Sequence, residues 1–252
     1  MINVRIRKSK FMDWINCPYM YEQMWLKGKE RRESVEMELG RRFHKLSGEF
    51  FDHITYLDLV LVRTVPDAYR LFQSLQAETD YMMKEWMNNF YFWEAREWIR
   101  LREMYPVNEA FIYWKPLTTE LEINTDKAEY HFDRIDLLPN GCAIDIEYKT
   151  GKYFRKASLR KELTFYNIGA NKLNLFNLHH SHIGYFNPRL NISWNEEVTQ
   201  FQRNRTERLI KQFLKAHEGN DFPCKPSAFC AYCGVILTCP HWQNHKEVVR
   251  YA

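Results

Sequence analysis

Long apolar runs are missing from this 252-residue sequence. No stretch approaches the roughly 18 consecutive apolar residues that a membrane-spanning helix needs. The first ten residues include Arg5, Arg7, Lys8 and Lys10, with no apolar stretch behind them, so no secretory leader is expected. These two absences predict a cytoplasmic protein that does not enter a membrane.

A strong charge imbalance is also missing. The formal net charge is +4 with an isoelectric point near 8.6, so overall charge does not by itself indicate a nucleic-acid partner. There is no Gly-rich phosphate loop of the G-x-x-x-x-G-K type, so no helicase motor is expected in this chain. Internal repeats and low-complexity tracts are absent as well. We expect a single domain that buries a substantial core. Aromatic residues are abundant, at 16% of the sequence.

Cysteines are the first informative feature. In a reducing compartment, six cysteines are better explained by metal binding than by disulfides. One stands alone near the start and three form a C-x2-C-x5-C run near the end; the four are Cys17, Cys230, Cys233 and Cys239. Cys142 and Cys224 fall outside this pattern. Zinc and an iron–sulfur cluster both accept thiolates, and Pro240 directly after the run is a feature of several iron–sulfur proteins.

Hydrophobic periodicity predicts helices in the first part of the chain. Ser9 and Ser34 are suitable N-caps, and Pro66 suits a first helical turn. The predicted helices are Ser9 to Lys27, Ser34 to His53, Pro66 to Asn89 and Phe90 to Tyr105.

The period then changes to two, which predicts a sheet. Pro139-Asn140-Gly141 indicates a hairpin turn between the last two strands of the run. The predicted strands are Val107 to Trp114, Thr118 to Ile123, Lys127 to Leu138 and Cys142 to Tyr148. A helix from Lys156 to Leu178, a strand from Ile183 to Phe186 and a helix from Asn195 to His217 follow. This order predicts an α/β fold with a helical cap.

Acidic residues mark the two strands joined by the hairpin. On a strand, residues two apart share a face, so Asp145, Glu147 and Lys149 project together while Tyr148 projects the opposite way. A few oxygen ligands with positions left for water and phosphate suit magnesium or manganese in phosphodiester chemistry. The lysine can position or deprotonate the attacking water, or stabilise charge on the phosphorus oxygens. An isolated E-x-K is more often a solvated charged ribbon, so this motif needs support from the rest of the chain.

That support comes from motifs spread in order over nearly the whole sequence. They are Cys17-Pro18, the G-x-x-x-H segment from Gly40 to His44, Asp133, and the segment Glu147-Tyr148-Lys149-Thr150-Gly151. In this order they resemble a RecB-like nuclease of the PD-(D/E)XK superfamily, in the branch that carries an iron–sulfur cluster. That branch includes CRISPR-associated adaptation exonucleases and the nuclease domains of some helicase-nucleases.

The resemblance implies an architecture. We expect a restriction-endonuclease-like mixed sheet flanked by helices, with an N-terminal helical cap and a C-terminal cysteine-rich loop that closes on the N-terminus. The single nuclease domain would have a mainly helical part at 1–105, the catalytic sheet and helix at 106–190, and a basic helix with the cysteine-rich segment at 191–252.

The resemblance also implies residue roles. His44, Asp133 and Glu147 would bind magnesium or manganese together with the backbone carbonyl of Tyr148, and Lys149 would be the catalytic lysine. Asp136 and Asp145 are weaker alternatives as ligands. Tyr166 would contact DNA or orient the site. The four cysteines would hold a 4Fe-4S cluster, with zinc as the alternative. Replacing any of them is expected to weaken the fold, whereas replacing Cys142 or Cys224 is expected to have little effect.

Two positions depart from the family pattern. Glu162 stands where the family's Q-x-x-x-Y helix has glutamine. Tyr130 stands where a glycine usually precedes the first aspartate. Glycine permits a close approach of the backbone that tyrosine does not, so the local strand geometry is expected to differ from that of the family.

Basic residues near the proposed site favour a track for a nucleic-acid backbone. Tyr153, Phe154 and Tyr166 are candidates for stacking on unpaired bases. The basic residues are Lys152, Arg155, Lys156, Arg160 and Lys161, followed on a later helix by Arg203, Arg205, Arg208 and Lys211.

The expected function is therefore a metal-dependent DNA nuclease acting on single-stranded or splayed DNA. It would be mainly an exonuclease with some endonuclease activity, in recombination, repair or CRISPR adaptation, with CRISPR integration or recombination proteins as partners. One alternative is a non-cutting subunit that binds DNA or a protein partner through an iron–sulfur or zinc site. Another is a nuclease that acts on RNA.

Overall fold

The computed structural model of the protein describes residues 5–28, 35–75, 81–228, 230 and 233–244, without the side chain of Met82. Contacts divide the chain into two compact units. The first unit comprises Met1–Arg32, Asn124–Glu129 and Asn204–Ala252, and the second comprises Glu33–Ile123 and Tyr130–Arg203. Each unit is thus assembled from segments that are far apart in sequence. The expected three-part single domain stays a prediction.

In the first unit, strand β1 (Ile6–Arg7) leads into helix α1 (Lys8–Asn16), α2 (Pro18–Tyr21) and a π-helical turn (Glu22–Leu26). The single helix predicted from Ser9 to Lys27 is therefore wrong. Cys17 interrupts it with extended backbone at φ −159° and ψ 110°, because a residue before proline is disfavoured in the α region. Ser9 is not a cap either, since the helix begins one residue earlier.

The helices of the second unit begin with α3 (Val35–Glu49), which continues as a 3-10 turn at Phe50–His53. Pro66 lies in the first turn of its helix, as predicted, whereas Ser34 lies outside the described residues. The predicted break between Asn89 and Phe90 is wrong because one helix runs through it. The remaining helices of this part are α4 (Tyr56–Leu59), α5 (Val65–Leu75), α6 (Tyr81–Met104) and α7 (Val107–Trp114).

The segment Val107–Trp114 is the largest correction, because it forms helix α7 and not a strand. Pro106 precedes the helix, and Ala110 and Trp114 bury the same face at a four-residue spacing. Trp114 is fully buried in an aromatic core beside Phe72, with ring centroids 5.4 Å apart. The apolar residues of Val107–Trp114 fit an alternating pattern as well as a helical one. Periodicity alone therefore predicted a strand where the structure has a helix.

The sheet contains β2 (Thr118–Asn124), β3 (Ala128–Leu137), β4 (Ala143–Tyr148), β5 (His180–Asn187) and β6 (Ile192–Glu197). In the second unit the order is β3-β4-β5-β6, with β2 paired to β3. The β3–β4 pair is the antiparallel hairpin that the turn predicts, β4 and β5 are parallel, and β5 and β6 are antiparallel. In the first unit, Ile6 of β1 pairs in parallel with Ala128 at the start of β3. The predicted mixed sheet is confirmed.

Helix α8 (Lys156–Lys172) connects β4 to β5, and α9 (Gln200–Glu218) and α10 (Pro240–Asn244) follow the sheet. Helix α8 ends earlier than predicted, before a short 3-10 turn at Leu175–Asn177. The helix predicted from Asn195 is wrong at its start, because Ile192–Glu197 pairs with β5 as an edge strand. None of the described helices is both long and apolar enough to cross a bilayer.

Helices cover both faces of the sheet in the second unit. On one face, Tyr148 packs edge-on against Phe43 of α3 and Phe90 of α6, and Phe186 stacks on Trp93 at 4.4 Å. On the other face, Leu159 and Leu163 of α8 pack against β5. Alternate residues of each strand therefore enter different cores. This arrangement confirms the expected restriction-endonuclease-like α/β fold.

In the first unit, the cysteine-rich segment returns to the N-terminal helices. The Tyr19 amide donates to the Pro223 carbonyl at 3.2 Å, and Lys225 Nζ donates to the Ile15 carbonyl at 2.7 Å. Tyr21 and His217 are joined by a buried hydrogen bond of 2.8 Å. The expected closure of this segment on the start of the chain is present in these contacts.

A buried ionic network lies on the α6 face of the hairpin strands. Arg134 is 1% exposed; it contacts the Glu94 carboxylate and donates to Asp136 Oδ1 at 2.6 Å. Its guanidinium also lies 4.7 Å from the centre of the Phe51 ring. Asp136 is therefore the ion-pair partner of Arg134. It lies on the face of β3 opposite to Asp133.

Replacing Arg134 with methionine should destabilise the protein strongly. The two carboxylates would lose their buried partner, and breaking a buried pair in this way costs about 3–5 kcal/mol. Arg160→Met is the matched control, because Arg160 pairs with Glu196 at the surface and such pairs contribute about 0–1 kcal/mol. Urea unfolding measures both, and equal midpoints for the two variants would contradict this interpretation.

Candidate metal and active site

Three side chains from different elements of the second unit converge on one point. His44 of α3, Glu120 of β2 and Asp133 of β3 each offer a ligand atom, and these atoms lie within 4.8 Å of one another. His44 Nδ1 is 3.3 Å from Glu120 Oε1 and 3.4 Å from Asp133 Oδ1. One imidazole nitrogen with two carboxylates is a donor set that divalent metals such as magnesium and manganese accept.

Two glycines allow α3 to deliver His44. Gly40 and Gly48 lie four residues before and four residues after it, so the three share one helix face. A Cβ at Gly40 would lie 3.0 Å from Thr150 Oγ1, and a Cβ at Gly48 would lie 2.9 Å from Glu120 Cγ. The helix backbone therefore approaches the end of β4 on one side of the histidine and β2 on the other.

Glu120 adopts an unusual backbone conformation, with φ at 49°. A non-glycine residue in this region costs on the order of 1–3 kcal/mol and persists only where its surroundings hold it there. Glu120 Oε2 lies 2.8 Å from His131 Nε2, and Oε1 lies 3.3 Å from His44 Nδ1. These two histidine contacts hold the carboxylate at the metal group despite the strain.

The second half of the site lies at the end of β4. Glu147 is 2% exposed, and its Oε1 lies 2.5 Å from Lys149 Nζ. The lysine also lies 3.1 Å from Glu162 Oε2 of α8, so its ammonium sits between two carboxylates. Asp133 Oδ2 accepts a 2.8 Å hydrogen bond from the Tyr148 amide, which links the two halves.

Two ionisable groups respond strongly to these charges. Burial would lower the pKa of His44, but the charge of Asp133 and hydrogen bonds to Asp133 and Glu120 outweigh it and raise the pKa to about 10. The imidazolium thus offsets one of the two negative charges when no metal is bound. Burial, followed by the charges of Glu147 and Asp133, raises the pKa of Tyr166 well above its usual range, so its phenol stays protonated at neutral pH.

The structure brings together most of the predicted site residues. His44 and Asp133 belong to the metal group, and Glu147 contacts Lys149. Tyr166 lies close enough to Asp133 and Glu147 for their charges to raise its pKa. Glu147 is outside the three-residue group because its carboxylate faces the lysine.

Both alternative ligands have other buried partners. Asp136 pairs with Arg134. Asp145 Oδ1 lies 2.6 Å from His180 Nδ1, and its second oxygen accepts from Asn167 at 3.2 Å. Neither belongs to the metal group found among the described residues.

Sequence reasoning missed Glu120. It lies in an alternating Thr-Thr-Glu-Leu-Glu-Ile strand in which Glu120 and Glu122 read as equivalent exposed acids. The positive φ that turns Glu120 towards His44 has no glycine or asparagine to signal it.

The two departures from the family pattern are compensated. The Tyr130 ring packs on Gly169 of α8, where an added Cβ would lie 2.2 Å from Tyr130 Cε1, and it stacks with Phe165 at 5.4 Å. The glycine expected on the strand is thus replaced by a glycine on the facing helix. Glu162 contacts the lysine directly and is an acidic neighbour of the site.

The cysteines of the first unit line one cavity of about 210 Å³. The five cysteines that line it are Cys17, Cys224, Cys230, Cys233 and Cys239. Backbone amides already face two of the sulfurs: Lys225 N donates to Cys17 Sγ at 3.4 Å, and Ser227 N donates to Cys230 Sγ at 3.3 Å. Cys142 precedes β4 in the second unit and is not among the residues that line this cavity. Cys224 lies at the same cavity as the other four, and the expectation that it is not a metal ligand stays a prediction.

The candidate nucleic-acid residues divide by exposure. Tyr153 is 82% exposed, whereas Tyr166 is buried and Phe154 packs against Tyr185 at 5.1 Å. Some of the basic residues are paired with acids: Lys152 with Glu36, and Lys156 and Arg160 with Glu196. Of the three aromatic candidates, Tyr153 is the one available for stacking.

Buried acids of a mixed sheet, a lysine at the end of β4 and a histidine from helix α3 are residues suited to metal-dependent hydrolysis of phosphodiesters. The model of the PD-(D/E)XK nuclease superfamily matches residues 9–240. The chain belongs to this superfamily, whose members are nucleases that use divalent metals such as magnesium, with DNA as substrate.

Two solved structures are similar to this chain. One is the crystal structure of a "Putative exonuclease" from Eubacterium rectale, with 11% identity, a TM-score of 0.43, and coverage of 91% of this chain and 86% of that chain. The other is the crystal structure of SSO0001, with 19% identity, a TM-score of 0.33, and coverage of 81% and 97%. Among curated proteins, no relative matches the chain.

Replacing Glu120 with glutamine should weaken manganese binding, because one of three convergent anionic or imidazole ligands loses its charge. Glu122→Gln is the matched control, since Glu122 lies on the same strand and is exposed. Isothermal titration with Mn²⁺ measures the affinities. Equal affinities for the two variants would remove Glu120 from the metal group.

Metal binding should release a proton. Only neutral imidazole binds a metal, and the pKa of His44 is about 10 in the metal-free protein. Affinity should therefore rise with pH by about tenfold per unit below this pKa. Titration calorimetry in two buffers of different ionisation enthalpy counts the protons released. Absence of proton release in the wild type, or an unchanged count in His44→Asn, would contradict the assignment.

Proposed function

We propose that the protein is a deoxyribonuclease that degrades single-stranded or splayed DNA, mainly as an exonuclease with some endonuclease activity. The observation that carries this proposal is the proximity of the His44–Glu120–Asp133 group to the Glu147–Lys149 pair, which Asp133 and the Tyr148 amide join. A cation site supplies Lewis acidity for phosphodiester hydrolysis, and a lysine beside it stabilises the charge that develops on the phosphate oxygens.

The roles follow from the contacts. His44, Asp133 and Glu120, with Glu147 and the Tyr148 carbonyl as further ligands, would hold one or two divalent ions, which supply Lewis acidity and a more acidic bound water when present. Lys149 is held by Glu147 and Glu162 with its ammonium at the site, where it stabilises charge on the phosphate oxygens. The neutral phenol of Tyr166 would serve as a hydrogen-bond donor that orients the neighbouring acids or contacts the DNA. Hydrolysis would leave a 5′-phosphate.

Single-stranded DNA is favoured as substrate by the residues that follow β4. Tyr153 presents a largely exposed ring, and Lys152 lies beside it in sequence. An aromatic platform next to a cationic side chain binds unpaired bases and their backbone with little sequence preference. Parallel digestion of labelled single-stranded DNA, duplex DNA and RNA distinguishes this substrate from the RNA alternative.

We further propose that the cysteine cavity holds a 4Fe-4S cluster through Cys17, Cys230, Cys233 and Cys239. Five cysteines line this cavity, and a four-iron cluster takes one cysteine for each iron. The one-plus-three spacing of these four cysteines, with Pro240 directly after Cys239, supports the cluster over zinc.

The cluster would join the start of the chain to its cysteine-rich end, so its binding energy would contribute to folding. Six unbridged cysteines suit the reducing cytoplasm. Recombination, repair or CRISPR adaptation, with an integration or recombination protein as partner, is the biological setting that we infer from the family resemblance.

Lys149→Ala should lower DNA hydrolysis by about 100- to 1,000-fold, the usual effect of removing one group that stabilises transition-state charge. Lys45→Ala is the matched control, because Lys45 follows His44 on α3 and its side chain is 73% exposed. The assay uses labelled single-stranded DNA with Mn²⁺. Equal activity of the two variants would reject the site, whereas DNA binding without hydrolysis by the wild type under any divalent ion would favour the non-cutting subunit.

A further inference from the structure

Cys224 extends the cysteine run into a symmetric pattern. Counted from it, the spacing is C-x5-C-x2-C-x5-C, so Cys224 and Cys239 flank the central Cys230 and Cys233 at equal distances in sequence. The resemblance to iron–sulfur nucleases accounts for Cys17 and the last three of these cysteines, and it leaves Cys224 without a role.

The cavity brings the two outer cysteines together. Cys224 Sγ and Cys239 Sγ lie 3.4 Å apart, and both residues line the cavity that Cys17, Cys230 and Cys233 also line. Backbone contacts on either side fix Cys224 there: the Pro223 carbonyl accepts from the Tyr19 amide, and the Lys225 amide donates to Cys17 Sγ. Cys224 is therefore held at the cavity by the same segment that positions Cys17.

Five thiols exceed what either kind of metal site uses. A tetrahedral zinc takes four ligands, and a four-iron cluster takes one cysteine for each iron. Cys17, Cys230 and Cys233 supply three positions. The fourth position has two candidate ligands, the sulfurs of Cys224 and Cys239. They lie 3.4 Å apart, which is less than the separation of two thiolates bound to one tetrahedral ion. A metal atom bound by one of these sulfurs is therefore close to the other as well.

We propose that Cys224 and Cys239 serve the fourth ligand position of this cysteine site interchangeably. Exchange breaks one metal–sulfur bond and forms another, and the proton that leaves the Cys224 thiol is taken up by the released Cys239 thiolate. The site thereby keeps its metal when either member of the pair is replaced or chemically blocked. This inference rests on the proposed metal-binding role of the cysteine cavity and does not depend on the nuclease chemistry.

The test compares iron, sulfide and zinc contents and visible spectra of anaerobically purified variants. Cys224→Ser and Cys239→Ser should each retain the wild-type metal content, whereas the double variant and Cys230→Ser should lose most of it. Cys142→Ser is the matched control and should retain the metal. If Cys239→Ser loses as much metal as Cys230→Ser, or if Cys224→Ser loses it too, the proposal is overturned.

A second readout needs no variant and avoids the risk of misfolding. Native wild-type protein is treated with iodoacetamide and digested, and each cysteine peptide is quantified by mass spectrometry. The metal-loaded protein should carry label on Cys224 and Cys239 that adds up to one equivalent, with Cys17, Cys230 and Cys233 protected. Full protection of both, or full labelling of Cys224 with none on Cys239, contradicts interchange.

The wild-type metal content separates the two proposals. A wild type without cysteine-bound metal overturns the cluster and the exchange together. A metal-loaded wild type in which Cys239 alone is essential overturns the exchange and leaves the cluster in place.

Discussion

The burial of like charges at the end of the β3–β4 hairpin is the constraint on which the site depends. Asp133 and Glu147 are 3% and 2% exposed, and buried carboxylates are costly unless cations or donors surround them. Without metal, these groups are the His44 imidazolium, the Lys149 ammonium and the Tyr148 amide. A divalent ion can replace the proton on His44, so the features that stabilise the metal-free fold also prepare it to bind a cation.

Close approach of backbones makes that burial possible. Gly40 and Gly48 bring α3 against the neighbouring strands on both sides of His44, and Gly169 lets α8 pack on the Tyr130 ring. On the reverse face of the hairpin, Arg134 pairs with Asp136 and Glu94. Burial raises the pKa of Glu94 to about 8, so at neutral pH the arginine is balanced chiefly by Asp136. The two faces of the same strands therefore have different charge balances: one is internally neutralised and the other is open to a cation.

In the first unit, cysteines take the place of carboxylates as the candidate metal ligands. Its aromatic contacts, such as Phe11 with Phe213, form a small core, and the cysteine cavity brings together chain segments more than 200 residues apart in sequence. Loop-closure entropy grows only slowly with length, so a metal site can offset the cost of this closure. The proposed metal site would therefore contribute both to the folding and to the shape of this unit.

The sequence by itself determined the hairpin, the mixed sheet, the family and the proximity of Glu147 to Lys149, because these depend on strand alternation, turn residues and short motif spacing. It could not distinguish helix from strand at Val107–Trp114, whose apolar positions fit both periods, and it missed the edge strand Ile192–Glu197. Only the tertiary structure placed Glu120 beside His44 and Asp133, and Cys224 at the cavity of the other four cysteines. Their positions depend on a strained backbone angle and on contacts between distant segments, and neither property is encoded in the local pattern around the residue.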